Sequence, residues 1–79
     1  MADLILYGRA QCELCDIAEA LLHQVSPEHV LRLQKIDIDS DAELRERYAL
    51  SIPVLRCAID GRELRWPFPP SRLREFLAA

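Results

Sequence analysis

The sequence predicts an α/β fold in the order β-α-β-α-β-β-α, with a four-stranded mixed sheet flanked by helices. Three observations carry that expectation. An unalternating apolar run, Leu4-Ile5-Leu6-Tyr7, leads into an apolar stripe at helical spacing. A second extended stretch follows that helix, which makes a β-α-β unit with a parallel pairing and a right-handed crossover. Asp60-Gly61 then turns two further strands back on one another ahead of a last helix. With 79 residues the chain has room for one core, so residues 1–79 are expected to form one domain.

Each element has its own signal. Leu4 to Tyr7, closed by Gly8, reads as a strand buried on both faces. Leu14, Ile17, Ala18, Leu21, Leu22 and Val25 form an unbroken helical stripe that Ser26-Pro27 ends. Val30 to Ile38 reads as extended, and its alternation slips between Leu33 and Ile36, which suggests a bulge. Ser40-Asp41-Ala42-Glu43 has the S-x-x-E capping-box pattern and opens a short helix with Leu44 and Tyr48 inward. Ile52 to Ile59 reads as a strand entered through Pro53, and Arg62 to Trp66 returns antiparallel after a two-residue turn. Pro67, Pro69 and Pro70 interrupt the chain, and Ser71 is placed to cap a last helix with Leu73, Phe76 and Leu77 on one face.

Composition removes several classes of function. Ten Lys and Arg against thirteen Asp and Glu leave a net charge of −3, so no basic stripe for nucleic acid is expected. The two glycines, Gly8 and Gly61, are too few and too far apart for a G-x-G-x-x-G or P-loop phosphate cradle. No apolar run approaches the roughly 18 residues that span a bilayer, and the start lacks a basic, apolar leader. A soluble cytoplasmic monomer follows as the expectation. In such a reducing compartment cysteines are free, metal-bound or catalytic. Three cysteines also do not make a disulfide framework.

Two of those cysteines, Cys12 and Cys15, sit where the first strand hands over to the first helix. Unpaired N–H groups at a helix N-terminus carry partial positive charge and stabilise a thiolate. In C-x-x-C pairs so placed, the first thiol falls from about 8.5 to roughly 3.5–7.5. Residues i and i+3 on a helix are close enough for a disulfide. Cys12 is therefore the candidate nucleophile and Cys15 the candidate resolving thiol of a dithiol exchange. Arg9 adds a cation nearby and Glu13 opposes it. A zinc site is the rival reading of a lone C-x-x-C, but it would have to draw its remaining ligands from Cys57, His23 and His29. No metal ligand is assigned.

Tyr7 to Asp16, Asp37-Ile38-Asp39, and Tyr48 to Leu55 together resemble a glutaredoxin, over essentially the whole chain, and especially short bacterial glutaredoxin-like domains with C-x-L-C. The resemblance implies the thioredoxin-like, glutaredoxin-type fold and a thiol-disulfide oxidoreductase with Cys12 and Cys15 catalytic. It places Arg9 where the family has a lysine that meets a glutathione carboxylate. Pro53 falls at the family's cis-proline, beside which the backbone of Ile52 is placed to pair with a substrate strand. The implied partners are a disulfide-bearing protein or small thiol substrate, with a reductase or glutathione as electron donor, and no cofactor. The chain departs from the pattern in Glu13-Leu14 between the cysteines and in Trp66-Pro67-Phe68-Pro69-Pro70-Ser71, where the family has a Gly-Gly nest. Three prolines remove three N–H donors there, which argues against efficient use of glutathione as co-substrate. Alternative readings of the same fold are a metal or iron–sulfur binding module and a redox-inactive adaptor.

Plainer roles are expected elsewhere. Cys57, opposite Leu64 if the turn has two residues, reads as a buried, inert thiol, with a regulatory thiol as the alternative. His23 and His29 are expected at the solvent face, and Asp16 as a dipole partner of its helix. Trp66 and Phe68 either form a substrate-facing apolar lip or fasten the last helix to the sheet. Asp37, Asp39 and Asp41 lack calcium-loop spacing.

Overall fold

The structure, a computed structural model, describes residues 3–30 and 32–78, the side chains of His29 and Val30 excepted. The expectation for His29 thus lies outside the described residues. Its elements are β1 (Leu4–Gly8), α1 (Glu13–Val25), α2 (Pro27–Val30), β2 (Leu33–Asp37), a 3-10 turn (Ile38–Ser40), α3 (Ala42–Tyr48), β3 (Val54–Cys57), β4 (Glu63–Arg65) and α4 (Pro70–Ala78). The sheet runs β2-β1-β3-β4, with β1 parallel to β2 and antiparallel to β3, and β3 antiparallel to β4. The expected α/β order is present, with α2 added.

β1 lies between two strands and is covered on both faces, which is why its apolar run does not alternate. Leu4 and Leu6 join Leu55, Leu64, Ala18, Leu22, Phe68 and Leu73 in one core, under α1 and α4. Tyr7 joins Ile38, Tyr48 and Val54 in the other, under α3. The same two-sidedness explains the slip in β2. Leu33 and Ile36 are an odd number of residues apart, so they point to opposite faces, and each packs against a different core. The register with β1 runs unbroken from Leu4↔Leu33 to Gly8↔Asp37, and the expected bulge does not form.

Other expectations shift because local chemistry outranks the pattern. Pro27 opens α2, since its fixed φ suits a first helical position, so the extended stretch is Leu33–Asp37 and not Val30–Ile38. Asp41, not Ser40, caps α3, accepting from the N–H groups of Glu43 (2.8 Å) and Leu44 (3.4 Å). A carboxylate is the stronger acceptor at a helix N-terminus, and the Ser40 hydroxyl instead donates to the Asp37 carbonyl at 2.6 Å. α4 starts at Pro70 with the Pro69 carbonyl accepting from the Leu73 N–H at 3.0 Å, which leaves Ser71 inside the first turn. Leu73 is buried there, with Phe76 and Leu77 packed beside it as expected.

The hairpin is longer than a two-residue turn. β3 ends at Cys57 and β4 begins at Glu63, so Ile59 and Arg62 lie outside the strands and Ile59 is exposed. Asp60 closes its own turn, accepting from the Arg62 N–H at 3.0 Å and from Arg62 Nε at 2.7 Å. Gly61, at φ +78°, donates to the Cys57 carbonyl at 2.8 Å. The register moves by two, which preserves faces: Leu64 opposes Leu55, and Cys57 opposes Leu4. At the end of its strand Cys57 is half-buried, not sealed in the core.

On the α3 side, Tyr48 is fully buried, stacks on Tyr7 at 4.4 Å between ring centres, and donates its hydroxyl to Glu63. Burial first, then the neighbouring Tyr48, pushes the Tyr7 phenol above its ordinary 10.0.

Two outcomes are expected. Tyr48→Phe removes the hydrogen bond to Glu63, which keeps Arg56 and Arg65 beside it, and lowers stability by about 1 kcal/mol in denaturant titration. The Arg62 N–H groups, backbone first and side chain second, hold the Asp60 carboxyl down at about 2 against an ordinary 3.8. Because this pKa is depressed in the fold, its contribution is complete above pH 3.8 and is lost as pH falls through about 2. An NMR titration of Asp60 should show that midpoint, and Arg62→Ala, which keeps the backbone donor and removes the side-chain one, should raise it only part of the way toward 3.8.

Candidate functional site

The site is built at the edge of the sheet where β1 ends. After Gly8 the chain turns through Arg9, Ala10 and Gln11, and Gln11 takes the left-handed conformation at φ 58°. A side chain other than Gly, Asn or Asp there is strained and lies immediately before a functional element. Cys12 follows as the N-cap of α1, in extended backbone at φ −101°, ψ 105°. Its Sγ accepts from the Cys15 N–H at 3.1 Å, and its carbonyl accepts from the Asp16 N–H at 3.2 Å. Cys12 thus does with sulfur what Ser or Asp does at an ordinary N-cap, and the same N–H is available to a thiolate.

Cys12 and Cys15 form a disulfide with 5.2 Å between Cα atoms. Cys12 is half-buried and Cys15 is buried, so the first sulfur is the accessible one. Cys15 packs onto the end of β1: a Cβ on Gly8 would stand 2.9 Å from its Sγ and 3.3 Å from its Cβ. Gly8 is therefore part of the site, a role the sequence did not reveal, since nothing there marks which side chain lands on it.

Pro53 is buried and the Ile52–Pro53 peptide is cis, as is Trp66–Pro67. Pro53 directly precedes Val54, whose partner in β1 is Tyr7, so the cis bond lies at the end of the sheet where β1 runs out toward the cysteine pair. The Pro53 carbonyl accepts from the Trp66 N–H at 3.2 Å. The Ile52 N–H donates to the Tyr48 carbonyl at 3.1 Å.

The remaining sequence candidates separate. Arg9 reaches Asp39, Nη2 to Oδ1 at 3.1 Å, and its Nε is buried without a hydrogen-bond partner. Phe68 is buried among Leu6, Leu55 and Leu73, and Trp66 packs edge-on against it at 5.1 Å. Of that pair only Trp66 reaches the surface. Leu14 and Ile17 were expected inward, yet they are 44% and 46% exposed. The buried line of α1 is Cys15, Ala18 and Leu22; Leu14 and Ile17, each one step before it and about 100° round the helix, face out, while Leu21 keeps partial contact with the core. A cavity of about 220 Å³ opens on Cys15, lined also by Gly8, Arg9, Asp16, Glu19 and Lys35. Lys35 and Glu19 pair across it at 3.2 Å. His23 is exposed on α1. Among the described residues no three His, Cys, Asp or Glu side chains are placed to hold a metal, and no helix is long and apolar enough to cross a membrane.

Comparison with known proteins fits this geometry. Residues 3–78 match the family model described as a glutaredoxin-like domain. The chain resembles the crystal structure of the structural-genomics target XcR50 from X. campestris, with TM-score 0.84 and 45% identity over 96% of this chain and 97% of that one. The solution structure of XcR50 matches at 0.83 and 46%, over 100% and 96%. Protein Ne2328 from Nitrosomonas europaea matches at 0.78 and 27%, over 94% and 88%. No curated protein matches.

Replacing Gly8 tests the packing of the cysteine pair. Gly8→Ala puts a methyl group against the Cys15 sulfur, so the oxidised protein should lose about 1–3 kcal/mol in chemical denaturation.

Proposed function

The chain belongs to the glutaredoxin-like domain family, and from that premise we propose that it is a thiol-disulfide oxidoreductase working through Cys12 and Cys15. One observation carries the reading: the Cys12 sulfur is the N-cap of α1 and accepts the Cys15 N–H at 3.1 Å. A group that accepts a helix N-terminal N–H as a disulfide sulfur is held more strongly as a thiolate, because the partial positive charge there meets a full negative one.

In the reduced protein the Cys12 thiolate attacks one sulfur of a substrate disulfide. That S–S bond breaks, and the other substrate sulfur leaves with the electron pair and takes a proton. The Cys15 thiol loses its proton and attacks the Cys12 sulfur, which releases the second substrate thiol. Two electrons pass to the substrate, and the protein is left with the Cys12–Cys15 disulfide. Burial of Cys15 favours this order, since an incoming disulfide meets Cys12 first. In this reading the substrate chain pairs with the Ile52 backbone beside cis-Pro53, with Trp66 as an apolar neighbour.

The electron donor in this reading is a protein reductase and not glutathione. Arg9, at the position of the family's carboxylate-binding lysine, is engaged by Asp39. Pro67, Pro69 and Pro70 offer no N–H donors where a backbone nest would stand. The substrate is a disulfide-bearing protein or small thiol compound, in a reducing compartment such as the cytoplasm.

Cys12→Ser should abolish disulfide reduction. Cys15→Ser should accumulate mixed disulfides with substrate, visible as a mass adduct removed by dithiothreitol. Normal turnover by Cys12→Ser would overturn the reading.

A further inference from the structure

We propose that the disulfide accepted at this site belongs to a protein segment that is apolar beside its cysteine and cationic around it; this rests on the dithiol reading above. Two independent features of the surface around Cys12 lead there.

One is charge. Because β1 and β2 run parallel, the chain leaves both at the same edge of the sheet. The exit from β1 and first turn of α1 bring Arg9, Glu13 and Asp16 to that edge, and the exit from β2 brings Asp37, Asp39 and Asp41. A single cation therefore stands among five carboxylates, and it is already engaged by Asp39 at 3.1 Å. Glu13 and Asp16, on either side of Leu14 and Cys15, are exposed. Lys35, the other cation lining the cavity on Cys15, is paired with Glu19. An approaching group meets negative potential with no free cation in these segments; Arg65, which ends β4 at the same edge, lies two strands away from β1 and is paired with Glu63 at 3.6 Å. Oxidised glutathione, itself an anion, is opposed by that field, and a Lys- or Arg-bearing segment is drawn by it.

The other is apolar surface. Leu14 lies between the two cysteines and Ile17 one turn further, each nearly half exposed. Residues three apart share a helix flank, so the two side chains form a short apolar strip that begins at the disulfide. A free amino acid disulfide has nothing to lay along it. A peptide with an apolar side chain next to its cysteine does.

The test is a single-turnover measurement with the pre-reduced full chain, which needs no electron donor. Three disulfide peptides share one apolar core and carry lysine, serine or glutamate flanks, with the neutral bis(2-hydroxyethyl) disulfide as reference. At low ionic strength the lysine peptide should react about tenfold faster than the glutamate peptide, and the gap should close as salt is raised. The double variant Glu13→Gln/Asp16→Asn should narrow the gap several-fold, and Leu14→Ser should slow all three peptides alike. Equal rates for the lysine and glutamate peptides, a preference unaltered by the double variant, or no effect of Leu14→Ser would each overturn the proposal while leaving the dithiol reading intact. Failure to react with any peptide and with the neutral disulfide would overturn both.

Discussion

The Cys15 sulfur rests on the end of β1 so closely that Gly8 has no room for a side chain, and most of the site's geometry descends from that contact. It fixes how near the first turn of α1 comes to the sheet. With α1 at that distance, Ala18 and Leu22 reach Leu4, Leu6 and Leu55, and the larger core closes. With Cys15 held inward, the tight i, i+3 geometry leaves Cys12 outward at the N-cap, with its sulfur on the Cys15 N–H. The antiparallel pairing of β1 with β3 starts β3, directly after Pro53, at the same end of the sheet. One steric constraint thus sets the Cys12 sulfur against the Cys15 N–H at the start of α1.

The second core holds the start of β3. Tyr48 is buried between Tyr7 and the loop that follows α3, and its carbonyl accepts from the N–H groups of Ser51 (2.8 Å) and Ile52 (3.1 Å). Its hydroxyl reaches across to Glu63 on β4. The segment that carries Ile52 and Pro53 is therefore tied to a helix, to the central strand and to an outer strand. For the proposed dithiol exchange that matters, because it needs three sulfurs nearly in line, and a mobile segment would give up the positioning that the fold supplies. The surface ion pairs Arg32–Asp3 and Lys35–Glu19 contribute little beside these buried contacts.

Charge and shape at the site point the same way. Helix dipole and capping call for carboxylates in first turns, and α1 and α3 both begin at the reactive edge, so their acids gather around Cys12. What stabilises the helices therefore also sets the field that a substrate meets. The prolines after β4 belong with this. They close the chain over the core through Phe68 and start α4, at the cost of the N–H groups that would hold an anion.

Much of this was legible in the residues. The unalternating run at Leu4, the Cys15-Ala18-Leu22 line within the apolar stripe and the C-x-x-C ahead of it are local signals, and local signals determine where strands, helices and a reactive pair begin. The family resemblance followed from the same segments. Tertiary structure decided the rest, wherever two neighbours competed for one role or two faces for one strand. Asp41 took the cap from Ser40 because its carboxylate accepts more strongly, and Asp60 lengthened the hairpin by binding Arg62. Leu33 and Ile36 read as a slip only because a sequence does not show that β2 serves a core on each side. Leu14 and Ile17 fit the stripe in sequence, yet face solvent beside the disulfide. Periodicity says that a helix has an apolar side, but the docking of Cys15 on Gly8 sets the rotation of α1, and rotation decides which apolar residues are buried and which stay exposed.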